Sequence, residues 1–325
     1  MRLGKLAFSL FAFVNKPTQI RAYGGRASLS SSFSKIPTPL YKPHYDTKRY
    51  FAHEIDTTHS FLGDNAMTRR RLYTEHKYVT YTLSEFSRFV AKTNFSNNDQ
   101  ISIVKEKFEG VKGLMHGHAA HENERIHELL RRKGSHVQEA IEADHAGHDP
   151  VFHNLDEILE SALTEAGSEQ KKEAGYQFYL EFQKFEASNL MHQFYEETQI
   201  MPELHRLYTD EEILEYVDKH SYEQMSGEDL AGMMQELFPH FNKDDRYGML
   251  NDIRLAQPTK FQAAFSGILP MLSEEEGAEF TAIFLATTTS ETTLSDKPNL
   301  WSQSAAEAKK LSTTKEDIAA KEFTV

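Results

Sequence analysis

The chain of 325 residues has no cysteine. Disulfides, thiolate-bound zinc, iron–sulfur clusters and a thiol nucleophile are therefore excluded, and any bound metal must use nitrogen and oxygen donors. Long apolar runs are also missing: the stretch at residues 6–14 is too short to span a bilayer, and no other candidate occurs. Proline is sparse, with 10 residues, and from about residue 67 no segment alternates apolar and polar residues at strand spacing. Positive charge is in deficit, 36 Lys and Arg against 49 Asp and Glu, for a net charge of -13. The short run Arg69, Arg70, Arg71 does not offset this, so nucleic acid and anionic membrane surfaces are disfavoured as partners.

Acidic residues are absent before Asp46, while Arg2, Lys5, Lys16, Arg21, Arg26 and Lys35 are scattered through a leader with a Ser-rich patch at residues 28–34. Residues 1–45 thus have the composition of an organellar transit peptide, with mitochondrial the first reading. Another organelle, or a secretory signal with residues 6–14 as its apolar core, is the alternative. Residues 46–67 read as a linker.

Histidine is what the chain has in excess: 16 in all, eight of them within residues 116–153. A hydrophobic content of 39% is enough to bury a core. The spacing of the apolar residues predicts an all-α chain, with four long helices over residues 68–208. A smaller helical extension at residues 209–286 and a flexible tail at 287–325 follow. In the extension Thr209-x-x-Glu212, Ser226-x-x-Asp229 and Ser273-x-x-Glu276 have the form of helix N-terminal capping boxes, giving about three to five short helices. No phosphate-binding loop or nucleophile motif occurs in it.

Following each apolar stripe by steps of three and four shows which polar residues fall on it. The first helix, residues 68–94, runs Leu72, His76, Val79, Leu83, Phe86, Val90. The second, 98–132, runs Phe108, Val111, Met115, His118, Glu122, Ile126, Leu129, with Lys133-Gly134 as its stop. The third, 136–166, runs Ile141, His145, His148, Phe152, Leu155, with Pro150 expected to kink or restart it. The fourth, 169–207, runs Phe178, Phe182, Phe185, Asn189, His192, Glu196, Ile200. Residues four apart lie one above the other on a helix, so His118 with Glu122, and His192 with Glu196, can reach one point on the axis of a four-helix bundle. A buried polar residue requires a partner, and four helices that each place histidine on the apolar face point to a shared metal. Imidazole with carboxylate suits iron, with manganese or zinc as alternatives. Glu197 competes with Glu196, but five residues from His192 it turns away from that face. His116, His121, His127, His136 and His153 fit solvated positions, or a tract that binds metals loosely. Glu-x-x-His pairs of the ferritin-like kind do not appear.

The segment His118-Ala-Ala-His-Glu-Asn-Glu-Arg-Ile-His127 resembles the His/Glu helix of the hemerythrin-like (HHE) domain family. His192-Gln-Phe-Tyr-Glu-Glu-Thr198 does so too, and His76-Lys77 and Glu142-Ala-Asp-His145 fit the same order. The resemblance covers residues 72–213, and the Asp245-Arg246 and Pro258-x-x-Phe261 stretches resemble the helical extension of a bacterial-type subgroup. It implies an antiparallel four-helix bundle around an oxo- or hydroxo-bridged di-iron centre. His76, His118, His145 and His192 are then terminal ligands, and Glu122 and Glu196 (or Glu197) are bridges. One departure concerns the third helix, where family members place a second histidine four residues after the first and this chain has Asp149. Either His148 ligates from a distorted turn, or Asp149 substitutes, or one iron has fewer ligands.

The function this implies is binding of iron and, through it, O2 or a related small ligand, for carriage, sensing or iron buffering. That is favoured over an enzyme. A di-iron oxidase or peroxidase is one alternative. Another is a structural subunit of an organellar assembly that meets a protein partner through its C-terminal helices.

Overall fold

The computed structural model describes residues 70–285. The leader at 1–45, the linker at 46–67 and the tail at 287–325 lie outside the described residues. Every regular element among the described residues is helical, as the spacing of the apolar residues requires.

Helix α1 is His76–Ala91. Helix α2 begins at Asn98–His121, passes through a π turn over Glu122–Ile126 and ends as His127–Arg132. Helix α3 is Glu139–Thr164. Helix α4 begins at Ser168–Tyr195, passes through a second π turn over Glu196–Ile200 and ends as Met201–Leu207. The first helix starts later than its stripe suggests. Residues 70–75 are not helical, because Arg70 is held elsewhere: its guanidinium pairs with Asp218 at 2.8 Å and Asp252 at 2.9 Å, and His205 Nε2 donates to its carbonyl at 2.7 Å. Pro150 neither ends nor restarts α3, which runs continuously through it.

Side-chain pairs fix the direction of these helices. Between α2 and α3, Lys105 meets Glu160, Lys112 meets Asp156 at 2.6 Å and His116 meets Asp149 at 2.9 Å. One number rises as the other falls, so the two run antiparallel. Between α1 and α4, Ser84 donates to Glu186 at 2.7 Å and Thr80 to Gln193 at 2.8 Å, with the same sense. The rings of Phe86 and Phe108 join α1 to α2, and those of Phe152 and Phe185 join α3 to α4. Each helix therefore packs against its two chain neighbours, with α4 closing on α1.

Two local features make the packing possible. Gly134, at φ +72°, lets α2 stop in a left-handed turn, with Ser135 N donating to the Leu130 carbonyl at 3.0 Å. Gly175 on α4 leaves room for Phe95, whose Cγ would lie 2.1 Å from any added Cβ.

The interior is layered along the helix axes. One end is an aromatic cluster including Phe86, Phe108, Phe152, Phe178, Phe182 and Phe185, each ring contributing about 2–3 kcal/mol by its burial. The other end is mainly aliphatic, with Ile126, Leu129, Ile141, Ile200 and Leu204. Between them lies a polar layer.

The extension continues as α5, which begins at Asp210–Ile213 and runs on through Leu214–Asp218 and Lys219–Tyr222. It is followed by α6 (Gly227–Leu237), α7 (Lys243–Ala256), α8 (Pro258–Ile268) and α9 (Glu274–Leu285). Thr209 and Ser226 close capping boxes, as their sequence predicts, and Ser273 Oγ accepts from Glu276 N at 3.1 Å. Asn242 with Asp245 forms a further box that the Ser/Thr pattern did not pick out. The apolar residues of α6 to α9 form their own core, against which Tyr78 of α1 packs. Among the described residues no helix is long and apolar enough to cross a membrane.

Candidate metal centre

The polar layer consists of four histidines and two glutamates, all buried: His76 from α1, His118 and Glu122 from α2, His145 from α3, and His192 and Glu196 from α4. They form two groups. In each group the donor atoms all lie within 4.8 Å of one another: His76, His118, Glu122 and Glu196 in the first, His145, His192, Glu122 and Glu196 in the second. Both glutamates belong to both groups. The layer thus has an approximate two-fold arrangement, in which each helix pair supplies two histidines and one glutamate.

The π turns begin at Glu122 and at Glu196, and in each a buried isoleucine, Ile126 or Ile200, follows four residues later. Up to the glutamate, α-helical phase stacks His-x-x-x-Glu on one face. Beyond it, Ile126 and Ile200, four residues on, stay on the inner face, while the wider π turn brings the residue five positions on closer to that face. Such turns occur often at functional sites.

The contacts inside the layer are those of converging lone pairs. His118 Nε2 lies 3.2 Å from Glu122 Oε1, His145 Nε2 3.2 Å from Glu122 Oε2, His192 Nε2 3.3 Å from Glu196 Oε1 and His76 Nε2 3.4 Å from Glu196 Oε2. Close approach does not make them well-formed hydrogen bonds. Both ring nitrogens of His118, Oε2 of Glu122 and both carboxylate oxygens of Glu196 are buried without a hydrogen-bond partner. The Nε2 atoms of His145 and His192 stand 3.1 Å apart. Buried polar atoms left in this state cost about 1–3 kcal/mol each, more when charged, unless something else completes them. A cation among these atoms would do so.

Three of the four outward nitrogens are held, that of His118 being the exception. His76 Nδ1 donates to Glu197 Oε1 at 2.9 Å, His145 Nδ1 to Asn123 Oδ1 at 3.0 Å, and His192 Nδ1 approaches Asp144 Oδ2 at 3.4 Å. A proton fixed on Nδ1 turns the Nε2 lone pair of a neutral ring toward the centre, the usual outer support of a histidine ligand. Asn123 and Glu197 each directly follow the shared glutamate of their helix, so they are counterparts in the two halves.

Burial and charge set the protonation of the layer. Burial alone pushes the Glu122 carboxyl up, but His118, His145 and His76 around it hold it well below the usual range. Burial and the neighbouring Glu122 push Glu196 the other way, up. Against burial, hydrogen bonds to Glu122 and Glu197 raise His76 to about 10, and the charge of Glu196 with the contact to Asp144 raises His192 to about 10. Burial lowers His118 to about 3. A divalent cation would therefore displace protons from His76 and His192.

Of the seven residues the sequence singled out, six meet in this layer. The seventh, His148, is buried one step outside it, its ring 5.7 Å from His145 and 6.3 Å from His192, against Phe152 and Phe185, with Nδ1 unpartnered. Asp149 points outward to His116 and cannot serve as the substitute ligand. Glu197, the competitor of Glu196, is half exposed and supports His76 from outside.

Not every histidine expected to be solvated is so. His116, His136 and His153 are exposed. His127 is fully buried and donates from Nδ1 to Asn123 at 3.0 Å, and burial lowers it to about 3. The π turn accounts for this, because it rotates His127 inward relative to an uninterrupted α-helix. His121 is partly buried in a cleft with Glu75, Arg125 and Asp218. Asn123, Asp144 and Tyr73 were not singled out by the stripes; for the first two the available signal was adjacency to Glu122 and His145. No family model, curated protein or solved structure matches the chain.

Proposed function

We propose that this chain is a hemerythrin-like non-haem di-iron protein that binds O2 or a related small ligand at the layer between α1, α2, α3 and α4. His76 and His118 would hold one iron and His145 and His192 the other, with Glu122 and Glu196 reaching both. The observation that carries this reading is the pair of four-donor groups sharing two carboxylates.

The donor set fits such a pair of ions. Imidazole and carboxylate in a chain without cysteine favour iron, with manganese or zinc next, over softer metals. Four donors per ion fall short of the six that iron commonly takes, which leaves room for an exogenous ligand. When bound, iron supplies reversible redox change and an acceptor position for a small electron-rich or oxidising ligand.

The chain's own residues supply the rest. The Phe cluster on one side and the aliphatic cluster on the other exclude water from the layer. Glu197, Asn123 and Asp144 orient three of the imidazoles. His148 places a neutral ring beside the second group, since burial holds it well below its usual pKa.

The test is metal analysis with optical spectroscopy on protein reconstituted with ferrous iron and then oxidised. About two irons per chain, with ligand-to-metal charge-transfer absorption in the near ultraviolet, are expected, and fewer than about one would sink the proposal.

A further inference from the structure

Tyr73 lies in the non-helical segment before α1 and is 3% exposed. Its ring stacks on that of His76, with centroids 4.8 Å apart and planes 25° apart. Its hydroxyl is buried and has no hydrogen-bond partner. The charges that act on it most strongly are those of Glu196 and Glu122, the two carboxylates shared by the metal centre.

A buried phenol hydroxyl normally finds a partner, and one left without a partner needs a reason. Phenylalanine in its place would give the same stacking without that penalty. Nor is the residue loosely placed. Arg70, three positions earlier, is fixed by Asp218 and Asp252, and His205 holds its carbonyl. Tyr73 is thereby pressed against His76 by a buried ionic anchor that belongs to the extension.

The two halves of the centre differ here. The first group, around His76 and His118, has the phenol ring of Tyr73 stacked on His76. The second, around His145 and His192, has the imidazole of His148 against the Phe cluster. A donor with no acceptor in the protein, lying on a candidate ligand ring, fits an acceptor that arrives from outside.

We propose that Tyr73 donates a hydrogen bond to a small anionic or oxygen-bearing ligand taken up at the His76–His118 side of the centre. The inference rests on the metal-centre reading and adds to it the residue that recognises the ligand. Tyr73 orients and retains the ligand, and its proton stays on the phenol oxygen. The ligand class is a compact acceptor such as an anion of about three heavy atoms or fewer, since the position lies between two apolar clusters.

The experiment compares wild-type protein with Tyr73→Phe, using azide as the probe. Three measurements are made: iron per chain after reconstitution, thermal stability of the chelator-stripped protein, and azide affinity of the ferric protein by optical titration. Tyr73→Phe is expected to keep the wild-type iron content and to be at least as stable when stripped, because it removes an unpaired hydroxyl. It is expected to bind azide about tenfold or more weakly, the loss typical of one hydrogen bond to a charged acceptor. A shift of the bound-azide vibration in deuterated water should appear in the wild type and vanish in the variant.

Equal azide affinity in the two proteins, with normal iron content, would overturn the role of Tyr73 and leave the metal centre standing. A stripped Tyr73→Phe protein that melts well below wild type would show that the hydroxyl is already used inside the fold, and would also overturn it. Wild-type protein that takes up no iron would overturn both.

Discussion

Glu197 reaches across from α4 to hold His76 Nδ1 at 2.9 Å, and in the other half of the centre Asn123 reaches from α2 to hold His145 Nδ1 at 3.0 Å. The positions correspond, but one partner is a carboxylate and the other an amide. A carboxylate makes the imidazole it supports more basic and a stronger donor to a metal. Removing Glu197 should therefore weaken the first position selectively. Glu197→Ala is expected to lower the affinity of one of the two metal equivalents by about 10- to 100-fold. A chelator-competition titration would show two-step release in the variant. Uniform weakening of both equivalents would count against the assignment of His76 to one position.

The shared glutamates predict a different pattern. Glu122 and Glu196 belong to both donor groups, whereas His118 belongs to one. Glu122→Ala should leave the protein with less than about half an iron per chain, while His118→Ala should retain about one. Elemental analysis on the reconstituted variants distinguishes these outcomes. Equal loss in the two would mean that the ions do not bind independently enough to be separated.

Protonation gives a third expectation, for the chelator-stripped protein. His76 and His192 are raised to about 10 in the fold, above an unfolded value of about 6.5. Their contribution to stability is fully present below pH about 6.5 and is lost as pH rises through about 10. His118 and His127 are lowered to about 3, so their burial as neutral rings costs stability as pH falls from about 6.5 toward 3. Stability should peak near neutral pH and fall on both sides. Bound iron should remove the alkaline fall, because His76 and His192 are then held by the metal. A melting profile across pH, with and without iron, checks both arms.

The helical fold and the inner faces were legible because spacing alone decides which side of a helix is buried. His118 and Glu122 could be chosen over His121, and Glu196 over Glu197, from that phase. What could not be read is what depends on departures from it. The π turns after Glu122 and Glu196 leave no mark in the spacing of the ligands themselves, yet they turn His127 inward. The late start of α1 likewise follows from Arg70 meeting Asp218 and Asp252, residues far away in the chain. Tyr73 sits at that late start, off any helical face, so no periodic argument could find it.

The aromatic end of the layered core should be separable from the metal chemistry. Phe108 is fully buried among Phe86, Phe152, Phe178 and Phe182. Phe108→Ala should destabilise the protein by about 3–5 kcal/mol in urea unfolding. Metal stoichiometry at low temperature should stay that of wild type, since Val111 and Met115 still separate the cavity from His118.

Asp245 is one of the links between the extension and the start of the first helix, beside Asp218 and Asp252 on Arg70 and Glu236 on Tyr78. Its side chain is fully buried and meets both Arg71, at 2.9 Å, and Lys77, the residue after His76. The same carboxylate also accepts from Asn242 N at 3.3 Å, closing the capping box of α7. Asparagine keeps an oxygen for the cap but loses both ion pairs, whereas alanine loses everything. The cations are partly exposed, so solvent screens part of the gain. Asp245→Asn is expected to cost about 2 kcal/mol, and Asp245→Ala about 1 kcal/mol more for the lost cap. Urea unfolding of the two variants measures the difference directly. Equal losses would assign the cap no value, and losses below about 0.5 kcal/mol in both would mean that the extension is held by the Arg70 ion pairs and by Tyr78 rather than by Asp245.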